Sequence, residues 1–190
     1  MTDKQLIEAI YNGDSKAFQF LVEKYKNYIY RVAIGILQSH EDAEDITQDV
    51  FIEVFSSISD FRKEAQISTW LYRIAINKSI NLAKKNKRKK TLQNTESNIY
   101  QLITNLSDSK SQNIDAVMED EERKKIVSYS LEKLPKNQRI AFVLHKYDQL
   151  SYNEISVIMD ISVSAVESLM HRAKNNLTNT LKEIYKKILF

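Results

Sequence analysis

The sequence predicts an all-α protein made of two helical domains joined by a flexible linker. Only two of the 190 residues are glycine and one is proline, far fewer than the turns of a β protein require. Toward both ends of the chain, apolar residues recur mostly at three- and four-residue steps, the spacing of amphipathic helices. From residue 91 to 117 that period is lost and Ser, Asn, Gln, Thr and Asp dominate. We therefore expect domains at residues 1–90 and 118–190, with a linker over 91–117.

The first domain is expected to hold helices separated by local stop and start signals. Asn12-Gly13-Asp14 interrupts the first apolar pattern, and its aspartate can cap the helix that follows. Ser39 can cap the next helix, whose first turns are rich in acids that favour a helix N-terminus. A further helix is expected after Gln66, with Ser68 or Thr69 as its cap, and it continues into a lysine-rich end.

The charges are distributed unevenly along the chain. Residues 1–60 carry a net charge of −6, residues 61–90 of +9, residues 91–125 of −3 and residues 126–190 of +3. An acidic region and a basic segment in one chain predict two different partners, one of them nucleic acid. The alternative, that these runs are only solvated surface, stays open on charge alone.

The composition also excludes several classes of protein. The chain has no cysteine, which excludes disulfides and thiolate sites and fits a reducing compartment. Residues 6–10 carry Glu8 and follow Asp3, so they do not form a signal peptide. The longest apolar run, residues 28–37, contains Arg31 and has about half of the ~20 residues that a bilayer span needs. We expect a cytoplasmic protein.

The sequence contains none of the patterns that would indicate an enzyme. It shows no carboxylate cluster with metal-ligand spacing, no glycine loop for phosphate and no nucleophile–base arrangement. His40, His145 and His171 are far apart in sequence, so a metal site is not expected. We expect no cofactor, no metal and no small-molecule substrate.

The segment from Ser151 to Leu177 is interpreted as a helix-turn-helix that binds DNA. Ser151 can cap a short helix, and Asp160-Ile161-Ser162 can form the turn before a second helix with an apolar back. The exposed positions of this second helix carry groups that suit base edges and phosphates. They are Ser164, Glu167, Ser168, His171, Arg172 and Lys174. An ordinary helical hairpin with the same spacing is the alternative.

Three further motifs make the N-terminal half specific. They are Asp42-Ala43-Glu44-Asp45-Ile46-Thr47-Gln48-Asp49-Val50-Phe51, then Phe61-Arg62, then Ser68-Thr69-Trp70-Leu71-Tyr72-Arg73-Ile74-Ala75. Together with Leu134-Pro135 ahead of the helix-turn-helix, and in this order, they resemble bacterial sigma factors of the extracytoplasmic-function (ECF) type, in the sigma-70 family. The resemblance covers nearly the whole chain. It implies a non-catalytic subunit of RNA polymerase that directs promoter-specific initiation and assists promoter melting, with helical domains called region 2 and region 4.

The resemblance assigns one edge of the acidic helix to polymerase. Asp45, Gln48 and Asp49 share that edge at three- and four-residue steps. Their implied partner is the clamp-helix coiled coil of the β′ subunit. Acids and an amide can pair with a basic helical groove, so the side chains are compatible with this role.

The resemblance assigns residues 61–90 to the −10 element, where they open the duplex and hold a base of the non-template strand. Flipping a base costs a few kcal/mol, and stacking in a pocket returns roughly 1–3 kcal/mol per base. We expect Trp70 in the core, because it shares the apolar stripe with Ile74. The candidates for base contact are Phe61, Arg62, Lys63, Gln66, Ser68, Arg73, Asn77 and Lys78. Phosphate contacts are expected from Lys84, Lys85, Lys87, Arg88, Lys89 and Lys90.

Region 4 would read the −35 element through the second helix of the helix-turn-helix. Many relatives carry a basic residue where this chain has Glu167, which repels phosphate but can accept a hydrogen bond from cytosine N4. The two promoter elements lie about two helical turns apart, roughly 70 Å. A linker of about 27 residues extends to at most ~90 Å, which is enough.

Two other functions were weighed against the sigma factor. A free-standing repressor or activator needs only the helix-turn-helix and leaves the acidic edge and the STWLYR segment without a role. An enzyme acting on nucleic acid lacks any catalytic arrangement in the sequence. The resemblance also implies an anti-sigma factor as a partner, together with core polymerase and promoter DNA.

Overall fold

The computed structural model describes residues 3–61, 66–92 and 120–189, and the described residues are helical almost throughout. They form eight α-helices and one short 3-10 turn over Ile58–Asp60. The α-helices are α1 (Asp3–Tyr11), α2 (Ser15–Leu37), α3 (His40–Ser57), α4 (Ile67–Leu92), α5 (Asp120–Lys133), α6 (Lys136–Asp148), α7 (Tyr152–Met159) and α8 (Val163–Leu189). The all-α prediction is confirmed.

Helices α1 to α4 form the N-terminal unit, with α2 packed against the other three. The Asp14 carboxylate caps α2 by accepting from the backbone N–H of Lys16, and Ser39 caps α3, as predicted. Gly13 turns the chain between α1 and α2 with a φ of 85°, a left-handed conformation that glycine adopts without strain. Leu21 and Val50 lie in the core of the unit and are fully buried.

The start of α4 differs from the prediction. Ser68 and Thr69 lie inside its first turn, and the carbonyl of Gln66 already accepts from the N–H of Trp70 at 3.3 Å. The predicted caps were therefore wrong, because the helix begins before either hydroxyl can act at its end. At the other end α4 reaches Leu92. The predicted linker lies almost entirely in residues 93–119, outside the described residues.

Helices α5 to α8 form the C-terminal unit. Ser151 and Glu154 form a reciprocal capping box at the start of α7, in which the Ser151 N–H donates to Glu154 Oε2 at 2.8 Å. Asp160 ends α7 in the left-handed conformation, with a φ of 56°, and the Ser162 hydroxyl accepts from the N–H of Ala165 in α8. The predicted helix, turn and helix are thus present, and local hydrogen bonds define each boundary.

The two units pack directly against each other. Helix α6 lies along α2 and α7 lies against α4, so that one apolar core continues across both units. Gly35 of α2 makes the closest approach, since a Cβ built on it would lie 2.6 Å from Val143 Cγ1 of α6. Within the described ranges no helix is long and apolar enough to cross a membrane.

Candidate nucleic-acid and protein interfaces

The predicted acidic edge lies on the outer face of α3. Asp45, Gln48 and Asp49 are all exposed, while Ile46 and Val50 of the same helix are buried in the core. The three polar groups are therefore presented together on a regular helix whose other side is fixed by packing. Such a surface suits a partner with basic groups spaced along a helix.

The same face of α3 carries apolar residues that the sequence analysis did not single out. Ile52 is 67% exposed and Phe55 is 63% exposed, and they lie one and two turns after Gln48. The Phe55 ring contacts Phe18 of α2 edge-on, with 5.1 Å between ring centroids. Their position opposite the buried stripe was the signal that could have identified them. Large exposed apolar side chains next to polar ones are typical of protein interfaces.

The predicted −10 residues are found in different environments. Phe61 is only 8% exposed, and its ring lies against Trp70 with 5.0 Å between centroids. Its ring is therefore part of the core, and Trp70 is half-buried beside it as expected. Gln66 is exposed and Ser68 is half-buried. Arg62 and Lys63 lie outside the described residues.

Three polar residues follow along α4. Asn77 is exposed, while Lys78 forms an ion pair with Glu53 of α3 at 2.9 Å. Arg73 reaches the C-terminal unit, where its guanidinium donates to two backbone carbonyls of α7. The structure brings Arg73, Asn77 and Lys78 to one helix but gives two of them protein partners.

The basic end of α4 extends from the core into solvent. Asn86 ties it to the start of α3 by donating to Asp42 Oδ2 at 3.0 Å. The four basic side chains that the structure describes here are exposed, namely Lys84, Lys85, Lys87 and Arg88. The side chains of Lys89 and Lys90 are not described. This concentration of positive charge on one helix suits a phosphate backbone.

The predicted reading face of the helix-turn-helix is exposed on α8. Its opposite side is anchored by Val166, Met170 and Ala173, each at most 1% exposed. All six predicted contact residues point away from this core and are exposed: Ser164, Glu167, Ser168, His171, Arg172 and Lys174. The helix therefore presents one continuous polar face, as a helix that enters the major groove must.

One basic group on this face is held in place by its neighbour one turn earlier. The Arg172 guanidinium donates to the Ser168 hydroxyl at 2.9 Å and to the Ser168 carbonyl at 3.2 Å. Glu154 supports the same module from α7, since its hydrogen bonds from Ser151 lower the pKa of the carboxyl and keep the capping box ionised. Both contacts stabilise the geometry of the module before any ligand binds.

Comparison with known proteins matches both units. The family model described as Sigma-70 region 2 matches residues 21–89, and the model described as Sigma-70, region 4 matches residues 125–177. The ECF RNA polymerase sigma-E factor of Escherichia coli (strain K12) is 31% identical over 188 residues, which cover 98% of each protein. That of Haemophilus influenzae is 32% identical and covers 97% of each.

Solved structures agree with the fold. CnrH, solved in complex with the cytosolic domain of CnrY, matches with a TM-score of 0.70 at 22% identity and covers 95% of this chain and 97% of its own. The sigma factor RpoE of Bartonella quintana, solved with the anti-sigma factor NepR, matches with a TM-score of 0.61 at 21% identity and covers 88% and 98%. The chain belongs to the ECF sigma factors of the sigma-70 family, the non-catalytic subunits that direct RNA polymerase to promoters.

Proposed function

We propose that three separate surfaces of this sigma factor divide the work of initiation. The outer face of α3 binds core polymerase, α4 engages the −10 element, and α8 reads the −35 element. The observation that carries the assignment is their chemistry. An acidic and apolar face on α3, a basic end on α4 and a mixed polar face on α8 are each exposed on a helix with a buried back.

The polymerase surface combines Asp45, Gln48 and Asp49 with Ile52 and Phe55. The acids and the amide supply complementary charge for a basic coiled coil such as the β′ clamp helices, which favours encounter and orientation. The two apolar side chains supply area that loses water on binding, which polar groups alone do not provide. The proposed surface is therefore larger by two helical turns than the acidic edge.

The −10 surface is proposed to run along α4 from Gln66 to its basic end. Gln66, Arg73 and Asn77 are exposed on α4 or at its start and carry donors that can reach base edges or phosphates. The lysines and Arg88 that follow would hold the backbone of the strand without reading sequence. Phe61 supports this surface from the core rather than by stacking on a base.

The −35 surface is the N-terminal half of α8. Arg172 is suited to phosphate or guanine, and its bonds to Ser168 restrict its orientation before DNA arrives. Glu167 lies exposed on the same face and suits cytosine N4. We infer that Glu167 gives this protein a −35 preference different from that of relatives with a basic residue there.

The remaining assignments follow from the family. One neighbouring structure holds a sigma factor with an anti-sigma factor, and we propose that this chain also has a protein inhibitor. We place the protein in the cytoplasm, where it meets polymerase. We also propose the division into residues 1–90, 91–117 and 118–190 that the sequence predicts.

Polymerase binding tests the α3 surface. We expect Asp45→Ala with Gln48→Ala, and separately Ile52→Ser with Phe55→Ser, each to weaken binding to core polymerase by roughly tenfold or more, as loss of an interface hot spot does. Glu8→Ala and Tyr11→Ser are the matched controls, since both residues are exposed on α1 and Tyr11 is 65% exposed. Core binding unchanged in both double variants would remove the assignment.

Promoter selection tests the α8 surface. Glu167→Lys should change the −35 sequences used when the protein and core polymerase transcribe a randomised promoter library. Glu183→Lys makes the same charge change at an exposed position farther along α8 and serves as the control. A Glu167→Lys profile identical to that of the unaltered protein would show that Glu167 does not read DNA.

A further inference from the structure

The contact between the two units is close and specific. Helices α2 and α6 approach so tightly that a Cβ on Gly35 would overlap both methyl groups of Val143, at 2.6 and 2.8 Å. Val143 is fully buried at this contact, and Arg139 of α6 donates to the carbonyl of Ile36 at 3.0 Å. Only a residue without a side chain permits this approach.

A buried ion pair lies at the same contact. Arg31 Nε of α2 donates to Asp148 Oδ1 at 2.6 Å, and the Asp148 side chain is wholly buried while that of Arg31 is 34% exposed. Burial raises the pKa of Asp148, although Arg31 and Tyr72 act to lower it. The cost of removing the carboxylate from water therefore exceeds what its partners return. The pair fixes how the units meet, and the apolar contact supplies the attraction.

The contact also occupies a proposed DNA-binding residue. The Arg73 guanidinium donates through Nη2 to the carbonyl of Val157 at 2.7 Å and through Nε to that of Ile158 at 3.2 Å. Both carbonyls belong to α7, the first helix of the helix-turn-helix. Arg73 therefore cannot offer these donors to the −10 element while α7 rests on α4.

The distance between promoter elements conflicts with this arrangement. The −10 and −35 elements of this family are separated by roughly 70 Å, two helical turns of DNA. Here the −10 helix and the helix-turn-helix are joined by direct hydrogen bonds. One chain cannot engage both elements until the units separate.

We propose that the contact of α2 and α4 with α6 and α7 is an autoinhibitory closed state, which must open before the protein can initiate transcription. The proposal rests on the proposed role of α4 and α8 in promoter reading. Polymerase and DNA then act by binding the open form, so that the closed fraction lowers their apparent affinity in proportion. Arg73 takes part in both states and exchanges α7 carbonyls for DNA.

A disulfide can lock the closed state. The chain has no cysteine of its own, and the Cβ built on Gly35 lies 3.3 Å from Val143 Cβ, near the ~3.8 Å preferred by bridged residues. We expect Gly35→Cys with Val143→Cys to cross-link on oxidation. The oxidised protein with core polymerase should lose at least tenfold in promoter-specific initiation, and dithiothreitol should restore it. The unaltered protein should not respond to either reagent.

The outcomes separate the inference from the function on which it rests. A cross-linked protein that initiates as well as its reduced form overturns the autoinhibitory role, and thiols that fail to couple in folded protein overturn the closed state. Loss of initiation by the unaltered protein would instead count against the promoter-reading role. Gly35→Leu is the second variant, expected to expand the free protein in small-angle scattering with unchanged helix content by circular dichroism. An equally compact Gly35→Leu protein would also contradict the closed state.

Discussion

The core of the N-terminal unit and the contact between the units are built from different materials. Inside the N-terminal unit, α2 meets α3 and α4 through apolar side chains such as Leu21, Val50 and Leu71, all at most 1% exposed. Between the units, apolar packing is combined with the Arg31–Asp148 pair and with arginine bonds to backbone carbonyls. Polar groups regain water when such a contact opens, whereas an apolar core loses its stability. The first surface holds a fold together and the second is suited to come apart.

The largest expected effect is on the apolar core. Leu21→Ala should lower the free energy of unfolding by about 2–5 kcal/mol, because it removes a buried side chain and leaves a cavity. Urea denaturation followed by circular dichroism measures this. The neighbouring Phe20→Ala is the control, since Phe20 is 51% exposed. Equal losses for the two variants would contradict the distinction between the faces of α2.

The next effect breaks the contact between the units without unfolding either one. Arg31→Ala leaves the buried Asp148 carboxylate without its cationic partner, which can cost up to about 3–5 kcal/mol and should appear as opening. Adding Asp148→Asn removes the stranded charge and should restore much of the closed form. Energy transfer between dyes on the two units reports the change. A double variant as open as Arg31→Ala would show that the charge is not what opens the contact.

The smallest effect is a dependence on pH. Burial raises the pKa of Asp148 above its ordinary 3.8 in the closed form, and opening returns the carboxyl to water. The closed form therefore binds the proton more tightly, so this contribution favours closure below the ordinary pKa and is lost as pH rises through the raised one. Arg31 of α2 and Tyr72 of α4 face the group, and burial and then Asp148 itself raise the pKa of Tyr72. Energy transfer should increase on acidification, and Asp148→Asn should flatten the response.

Local features of the sequence were sufficient to predict much of the fold. Caps such as Asp14, Ser39 and Ser151 act within three residues of themselves, so their role can be inferred without knowing the rest of the molecule. The exposed edge of α3 and the polar face of α8 follow from helical period in the same way. Ser68 and Thr69 misled because several polar residues in a row could each begin a helix.

Contacts between distant residues were not predictable in this way. Arg31 and Asp148 are 117 positions apart, and no pattern in the sequence pairs them. Phe61 also had two readings, because an aromatic residue beside a predicted DNA-binding loop can stack on a base or fill the core. Gly35 was the one available signal, since a glycine inside a helix costs about 1 kcal/mol and is often explained by close packing.

The hydrogen bonds of Arg73 have a consequence for ionic strength. In the closed form the guanidinium binds uncharged carbonyls, and the Arg31–Asp148 pair is shielded from ions by burial. Binding of α4 and α8 to DNA releases condensed counterions and weakens steeply as salt rises. Added salt therefore acts on the open, DNA-bound side of the balance and leaves the closed side almost unchanged. The closed form would gain as the ion concentration rises, although no ion binds to it.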